Sequence, residues 1–347
     1  MSPYTSIRPV DEQARAAALA ELDRKTKPRG SLGRLEALAA QLAAIARSPA
    51  PVPLRPGIVV AAADHGVAVE GVSAYPQEVT RQMLANFASG GAAISVLAHA
   101  IGAELVVVDA GVVEPLYDHA IRSLRLGPGT ANAALEPAMS LESAAEAIER
   151  GAALGTELTV SGTNVLALGD MGIGNTTAAS ALACVLLERE PSAMCGPGTG
   201  LDASGVARKI EVVARMLAAN EPDPEDVVGA LAGVGGFEIG ILAGVALGAA
   251  AGGAVVVLDG FIIGAAALVA ARLEPALCGY LVASHRSPEP GHAPVLDELG
   301  LEPLLDLGLR LGEASGAALA LPLLDAARAI LVEMATFDAA GVTDTGR

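Results

Sequence analysis

Ile239 to Leu258 is a run of 20 residues without one charged side chain. An apolar stretch of that length either spans a bilayer or lies wholly inside a protein core. Its composition favours the core. The run is dominated by Ala and Gly, breaks at Gly252-Gly253, and resumes as Val255-Val-Val-Leu258. No aromatic belt and no cluster of Lys or Arg flanks it. A buried helix leading into a parallel strand reads this way, because such strands are apolar on both faces.

Strands of the same kind recur. Gly57–Ala63, Glu104–Asp109, Thr163–Leu168, Ala254–Leu258 and Tyr280–Ala283 are short apolar runs. Helical patterns separate them, over Gln77–Ala88, Ala92–Ala100, a helix capped by Ser140 and reaching Leu154, one ending at Leu187, Ala207–Ala219 and Ile262–Leu273. Alternation with short loops predicts an α/β fold, a parallel sheet with helices on both faces. The chain ends differ. Residues 11–50 read as two helices, with Leu35, Leu38, Leu42 and Ile45 on one stripe, and the last helix is expected from Pro322 to Thr336. Lacking strands, the two ends are expected to pack together as a small helical domain (1–50 with 301–347) beside an α/β domain over 51–300.

Charge narrows the partners. Lys and Arg number 22 against 39 Asp and Glu, so the net charge is −17. Such a chain repels nucleic-acid backbones and anionic membranes. Aromatic residues are 2% of the chain and Trp is absent, which leaves little for stacking on bases. The three cysteines (Cys184, Cys195, Cys278) are odd in number and sit in apolar or Gly-rich surroundings, as reduced thiols in a cytoplasmic protein would. The N-terminal segment Met1–Arg8 carries no apolar signal-peptide core.

Chemistry-bearing residues gather at the strand ends. Three strands close on an acid with glycine (Asp64-His-Gly, Asp109-Ala-Gly, Asp259-Gly-Phe), a fourth on Gly169-Asp170 and a fifth on Ser284-His285. Asp and Gly are ordinary loop starters, yet open parallel sheets bind ligands beyond these ends, and the repetition points to a site rimmed by carboxylates. Gly169-Asp-Met-Gly172-Ile-Gly174-Asn175-Thr176-Thr177 places glycines and hydroxyls between a strand and a helix N-terminus, a physical cradle for an anion. It is not a P-loop, since no Gly-Lys-Ser/Thr follows, and a tight strand–helix turn would look similar. Gly196-Pro-Gly198-Thr-Gly200 is a second glycine cluster, with Lys209 on the helix beyond it; spacing alone reads Lys209 as an exposed helix residue. The five histidines show no metal-ligand spacing and no Gly-x-Ser-x-Gly elbow occurs, so neither a metal nor a serine nucleophile is expected. In Arg310-Leu-Gly-Glu313-Ala-Ser-Gly a lone carboxylate lies among small residues. It reads equally as a first-turn glutamate favoured by the helix dipole or as a general base.

These stretches together resemble the nicotinate-nucleotide–dimethylbenzimidazole phosphoribosyltransferase family. The likeness is carried by Lys27-Pro-Arg-Gly-Ser-Leu-Gly-Arg-Leu-Glu36, Ala63-Asp-His-Gly-Val67, Gly71–Thr80, Gly169–Thr177, Val234-Gly-Gly-Phe237, Leu258-Asp-Gly-Phe261, Ala283-Ser-His-Arg-Ser287 and Arg310–Ala320, in family order. The resemblance implies a Rossmann-like domain with a small helical domain, and a homodimer. It implies transfer of the phosphoribosyl group from nicotinate mononucleotide to 5,6-dimethylbenzimidazole with inversion, without metal or cofactor, in assembly of the cobalamin nucleotide loop. Glu313 then corresponds to the general base, with Asp170, where many members carry Glu, in support. Tyr75, Met83 and Leu311 would line the slot for the aromatic base. Tyr75 is bulkier than the small hydroxyl residue some members place there. Gly172, Asn175, Thr176, Gly198, Lys209 and Ser287 would face the nucleotide and its 5′-phosphate.

Overall fold

The computed structural model describes residues 6–343. Its first half runs α1 (Glu12–Arg24), α2 (Arg34–Ala46), β1 (Pro56–Ala63), α3 (Val79–Ala88), α4 (Ala93–Ile101), β2 (Glu104–Gly111), β3 (Ile121–Ser123), α5 (Leu141–Val160) and β4 (Val165–Met171). There follow α6 (Asn175–Leu186), α7 (Pro191–Met194), α8 (Ala203–Asn220), α9 (Val227–Val234), α10 (Phe237–Ala251) and β5 (Val255–Leu258). The remainder is α11 (Phe261–Leu273), β6 (Leu281–Ala283), α12 (His292–Glu298), α13 (Ser315–Glu333) and α14 (Phe337–Ala340).

The strands form one parallel sheet in the order β3-β2-β1-β4-β5-β6. From β1 the chain builds outward through β2 and β3, then returns to lay β4 against the other side of β1. The strand order therefore reverses between β1 and β4. Pairing of Ala61 with Asp170 and Ala62 with Met171 brings the carboxyl ends of these two strands level. A crevice opens at such a reversal because the connections leaving the two strands diverge to opposite faces.

The uncharged run forms α10 and β5. Every residue of α10 from Phe237 to Ala250 is buried, because the helix lies between the sheet and α5. Glycine makes that sandwich possible. A Cβ on Gly151 or Gly155 of α5 would strike the carbonyl oxygens of Ile241 and Val245. One on Gly244 or Gly248 of α10 would strike those of Ile148 and Ala152. The two helices thus meet backbone to backbone, and α5 extends to Val160, beyond the expected Leu154.

On the other face α13 packs against β4, β5, α4 and α2. Thr26 N–H donates to the Ala335 carbonyl at 3.1 Å, tying the two chain ends together. By length and composition α13 would also suit a membrane, yet over half of its apolar window is buried inside the protein.

The short helices α7, α12 and α14 are not expected from the sequence, and three other elements depart from expectation in instructive ways. β3 pairs over only three residues and has one buried side chain, too little for a periodic signal. The helix α9 is rich in glycine, and it is held at its start by the Asp226 carboxylate, which accepts from Gly229 N–H at 2.9 Å. Most consequentially, α13 begins at Ser315, seven residues before Pro322, and carries that proline inside it. Proline is favoured at a helix start, which is why the sequence reads as beginning there. An aspartate that follows β5 supplies an earlier start instead.

Replacing Gly244 by Ala forces α5 and α10 apart at the centre of the core. The expected cost is about 1–3 kcal/mol, the range for overpacking, read as a Tm several degrees lower by calorimetry. An unchanged Tm would show that these backbones are not in contact.

Candidate active site

A cleft of about 660 Å³, counting its open mouth, lies outside the carboxyl ends of β4, β5 and β6. Seven of the residues singled out from sequence line it: Asp170, Gly172, Asn175, Thr176, Gly198, Ser287 and Leu311. They come from four separate stretches of chain. Glu313 and Lys209 lie in the wall just behind them.

Glu313 is 5% exposed and its Oε2 has no hydrogen-bond partner. Its backbone explains how it arrived there. Gly312, Glu313 and Ala314 have φ of 81°, 60° and 62°, three successive left-handed residues of which two carry side chains. Such backbone costs of order 1–3 kcal/mol per non-glycine residue and persists only where the surroundings enforce it. Two features enforce it here. Asp259 Oδ1, at the end of β5, accepts from Gly316 N–H at 2.7 Å and Ala317 N–H at 3.0 Å, so it caps α13. Gly169 in β4 has no Cβ, and one placed there would collide with Ala314. Glu313 N–H then donates to the Asp170 carbonyl at 3.3 Å. Glu313 is therefore not a first-turn glutamate. The helix N-terminus is taken by Asp259, and the Glu313 carboxylate is left buried and unpaired.

Burial pushes the Glu313 carboxyl up to about 7. Asp170 is likewise raised to about 7, by burial and then by the negative charges of Glu238 and Glu313, against a hydrogen bond from Asn175 Nδ2 at 2.8 Å. The Glu313 charge thus adds to the rise of Asp170, whereas burial by itself accounts for the rise of Glu313.

The glycine loop and helix start in the same lining are suited to an anion. α6 starts at Asn175, immediately after Gly172-Ile-Gly174, and directs its N-terminus and the Thr176 hydroxyl there. Lys209 is 1% exposed, contrary to the surface position its spacing suggests. Its Nζ donates to Thr176 Oγ1 and to the Gly196 carbonyl, each at 3.0 Å. Burial lowers the Lys209 ammonium, and nearby Glu289 counteracts this. Glu289 Oε1 accepts from Gly198 N–H at 2.8 Å, holding the second glycine cluster against α6. Ser287 N–H donates to His292 Nδ1 at 3.0 Å, and burial lowers His292 to about 4, so that nitrogen stays an acceptor.

Several residues that sequence alone did not single out hold these parts in place. His65 Nε2 lies 2.7 Å from Glu238 Oε1, both side chains being buried. Burial acts to neutralise His65, but the Glu238 carboxylate outweighs it and the net direction is upward. His65 sits against the glycine loop, its imidazole within van der Waals reach of where a Gly172 side chain would be and its Cβ within reach of one at Gly174. Thr80 on α3 is fully buried, and its hydroxyl accepts from Ile173 N–H at 3.1 Å, steadying the same loop. The sequence signals for them are the Asp64-His-Gly strand end, the Gly71–Thr80 stretch and the Gly-Gly-Phe stretch just before Glu238.

Tyr75 and Met83 are not among the residues lining this cleft. Tyr75 lies in the loop ahead of α3 and is 53% exposed, while Met83 is half-buried one turn along α3 from Thr80. Cys184 and Cys195 are buried, which pushes their thiols up to about 12 and about 11, so neither is a thiolate near neutral pH. No cluster of three His, Cys, Asp or Glu side chains suited to a metal occurs among the described residues.

A glycine loop and helix start suited to an anion, with a buried acid titrating near neutrality, at the carboxyl edge of a parallel sheet are the features of a nucleotide-handling α/β enzyme of the group-transfer class. Comparison with known proteins makes this specific. A family profile described as phosphoribosyltransferase matches residues 7–342. The nicotinate-nucleotide–dimethylbenzimidazole phosphoribosyltransferase of Roseiflexus sp. (strain RS-1) is 53% identical over 338 residues, 97% of this chain and 96% of the relative. Its counterpart in Azotobacter vinelandii is 52% identical, over 99% and 98% of the two chains. The crystal structure of CobT from Thermus thermophilus superposes with a TM-score of 0.92 at 48% identity, covering 95% of this chain and 99% of that one. The chain belongs to the nicotinate-nucleotide–dimethylbenzimidazole phosphoribosyltransferase family.

The buried Glu313 carboxyl has a measurable consequence for stability. It is neutral in folded and unfolded chains below about pH 4.5; between there and about 7 the unfolded chain loses the proton while the folded one retains it. Stability is therefore lost as pH rises through this window. Glu313→Gln abolishes that loss, so the variant should melt several degrees above the wild type at pH 8 and level with it at pH 4. Equal Tm at pH 8 would mean the carboxylate is well solvated.

Proposed function

We propose that Glu313 is the general base in the transfer of the 5-phosphoribosyl group from nicotinate mononucleotide to 5,6-dimethylbenzimidazole, which yields α-ribazole 5′-phosphate and nicotinate. The observation that carries this reading is the Glu313 carboxylate itself, buried, with an unpartnered oxygen and a proton affinity matched to neutral pH. The chemistry asks for little else. Nicotinate departs from a pyridinium, which becomes a neutral ring nitrogen and needs no acid. The acceptor attacks the anomeric carbon through one imidazole nitrogen, inverting it. As that bond forms, the N–H at the other ring nitrogen becomes acidic, and a carboxylate within reach takes the proton. General-base assistance of this kind contributes typically ~10²–10⁴ in rate.

The remaining assignments follow the cleft. Gly172, Asn175, Thr176, Gly198, Lys209 and Ser287 are proposed to hold the nucleotide through its 5′-phosphate. A dianion there would favour the charged form of the buried Lys209 and compensate its desolvation. Leu311, with Tyr75 and Met83 closing from the α3 side, is proposed to face the flat ring of the acceptor. Asp170 is proposed to support Glu313 as a second buried carboxyl beside it, hydrogen-bonded to Asn175. We also propose that the terminal helices (1–50 and 301–347) act as a small domain beside the α/β domain of 51–300, supported by packing of α1 and α2 on α13. A homodimer and a cytoplasmic location complete the proposal, the latter supported by three free cysteines.

Mass spectrometry of the protein incubated with nicotinate mononucleotide and dimethylbenzimidazole should detect free nicotinate and α-ribazole 5′-phosphate. Absence of nicotinate with any benzimidazole or purine acceptor would overturn the reading. Glu313→Gln should lower kcat by at least ~10² with little change in KM for the nucleotide. In the wild type, kcat should fall as pH drops below about 7, where the acid pair protonates. That limb should vanish in Glu313→Gln; its persistence would assign the base to Asp170.

A further inference from the structure

Arg310 opens the stretch that ends in Glu313, and neither the fold nor the proposed chemistry so far gives it a task. It is exposed and lines the cleft together with Leu311 and Gly312. Neighbouring Arg286 has a carboxylate partner, Asp306 at 3.5 Å, whereas Arg310 forms no ion pair among the described residues. It is also the only Lys or Arg in the cleft lining. His285, in the same lining, is buried and kept neutral by that burial. The acidic groups of the lining are Asp170 and Glu289.

The proposed donor carries two anionic groups, the 5′-phosphate and the ring carboxylate, joined to opposite ends of the ribose. The glycine loops, the start of α6 and Lys209 provide for one of them. The other must enter a cleft lined by carboxylates in a chain of net charge −17. On the rest of the lining nothing offers it a cation. Arg310, Leu311 and Gly312 line the cleft in sequence up to Glu313, so Arg310 lies on the side of the cleft where the proposed base acts.

We infer that Arg310 binds the ring carboxylate of nicotinate mononucleotide and makes the enzyme select this nucleotide over its carboxamide analogue, nicotinamide mononucleotide. The inference rests on the donor assigned above. A guanidinium presents parallel N–H donors that match both oxygens of a carboxylate. A carboxamide offers one acceptor oxygen and turns its NH₂ donors against the guanidinium. Pairing also draws charge from the carboxylate, which makes the ring nitrogen a better leaving group. Because Arg310 is exposed, it can release nicotinate without a conformational change.

The test is equilibrium binding of both mononucleotides to wild type, Arg310→Gln and Arg310→Lys by titration calorimetry, with nicotinate release measured on the same proteins. Wild type should bind nicotinate mononucleotide at least ~10-fold more tightly than the amide, the scale of a charge-assisted contact in a half-open site. Arg310→Gln should lose that preference while its affinity for the amide stays within about twofold, and Arg310→Lys should keep part of it. Parallel weakening of both nucleotides would assign the guanidinium to the phosphate and overturn the inference, as would no change in either. A wild type that releases no nicotinate would overturn the proposed reaction instead, and the binding comparison would still decide the role of Arg310.

Discussion

Two hydrogen bonds from the first turn of α13 to Asp259 hold the reactive end of this protein together. They fix where the helix begins, and with it the left-handed turn that carries Glu313. The turn can press against β4 only because Gly169 has no side chain. Loosening either contact would let Gly312, Glu313 and Ala314 relax into ordinary backbone, and the carboxylate would swing out to water. The helix dipole, which could otherwise have stabilised Glu313 as an anion, is spent on Asp259. One acid here serves as a structural cap, and burial gives its unpaired neighbour a high proton affinity.

The strand ends concentrate negative charge to a degree that folding alone would not favour. Asp64, Asp170, Asp259 and Glu313 are all buried, and burial raises the proton affinity of each. Buried unpaired carboxylates destabilise a fold, and proteins keep perturbed acids mainly where chemistry uses them. His65 relieves part of the load by pairing with Glu238 against the glycine loop, and Lys209 does so in the cleft wall. The compensating stability comes from a core far from the chemistry, in which α5 and α10 interlock through glycines and the strands are buried on both faces.

Much of this is legible in the chain. The buried parallel strands announce themselves as apolar runs closing on acid and glycine, because both faces are covered and the ligand face is the carboxyl edge. The anion loop at Gly169–Thr177 is legible because strand, glycines and helix start are contiguous. What is not legible depends on partners distant in sequence. His65 and Glu238 lie 173 residues apart, and neither carries a local pattern that names the other. Lys209 reads as a surface residue on its own helix, yet α6 and the Gly196–Gly200 loop close over it. The start of α13 reads as Pro322 because proline marks helix starts locally, while the true start is imposed by Asp259, the residue that follows β5.

By itself, then, the sequence determined the class of fold and the set of acids and glycines that gather at the strand ends. Periodicity, glycine placement and the order of strand-end acids are local properties, and they survive translation into structure. The tertiary structure alone decided the chemical state of those groups. Whether Glu313 is a helix cap or a base depends on how much water reaches it and on which acid already occupies the helix N-terminus. Both are set by the packing of α13 on β4 and β5, since desolvation and through-space charge act between residues that only folding brings together.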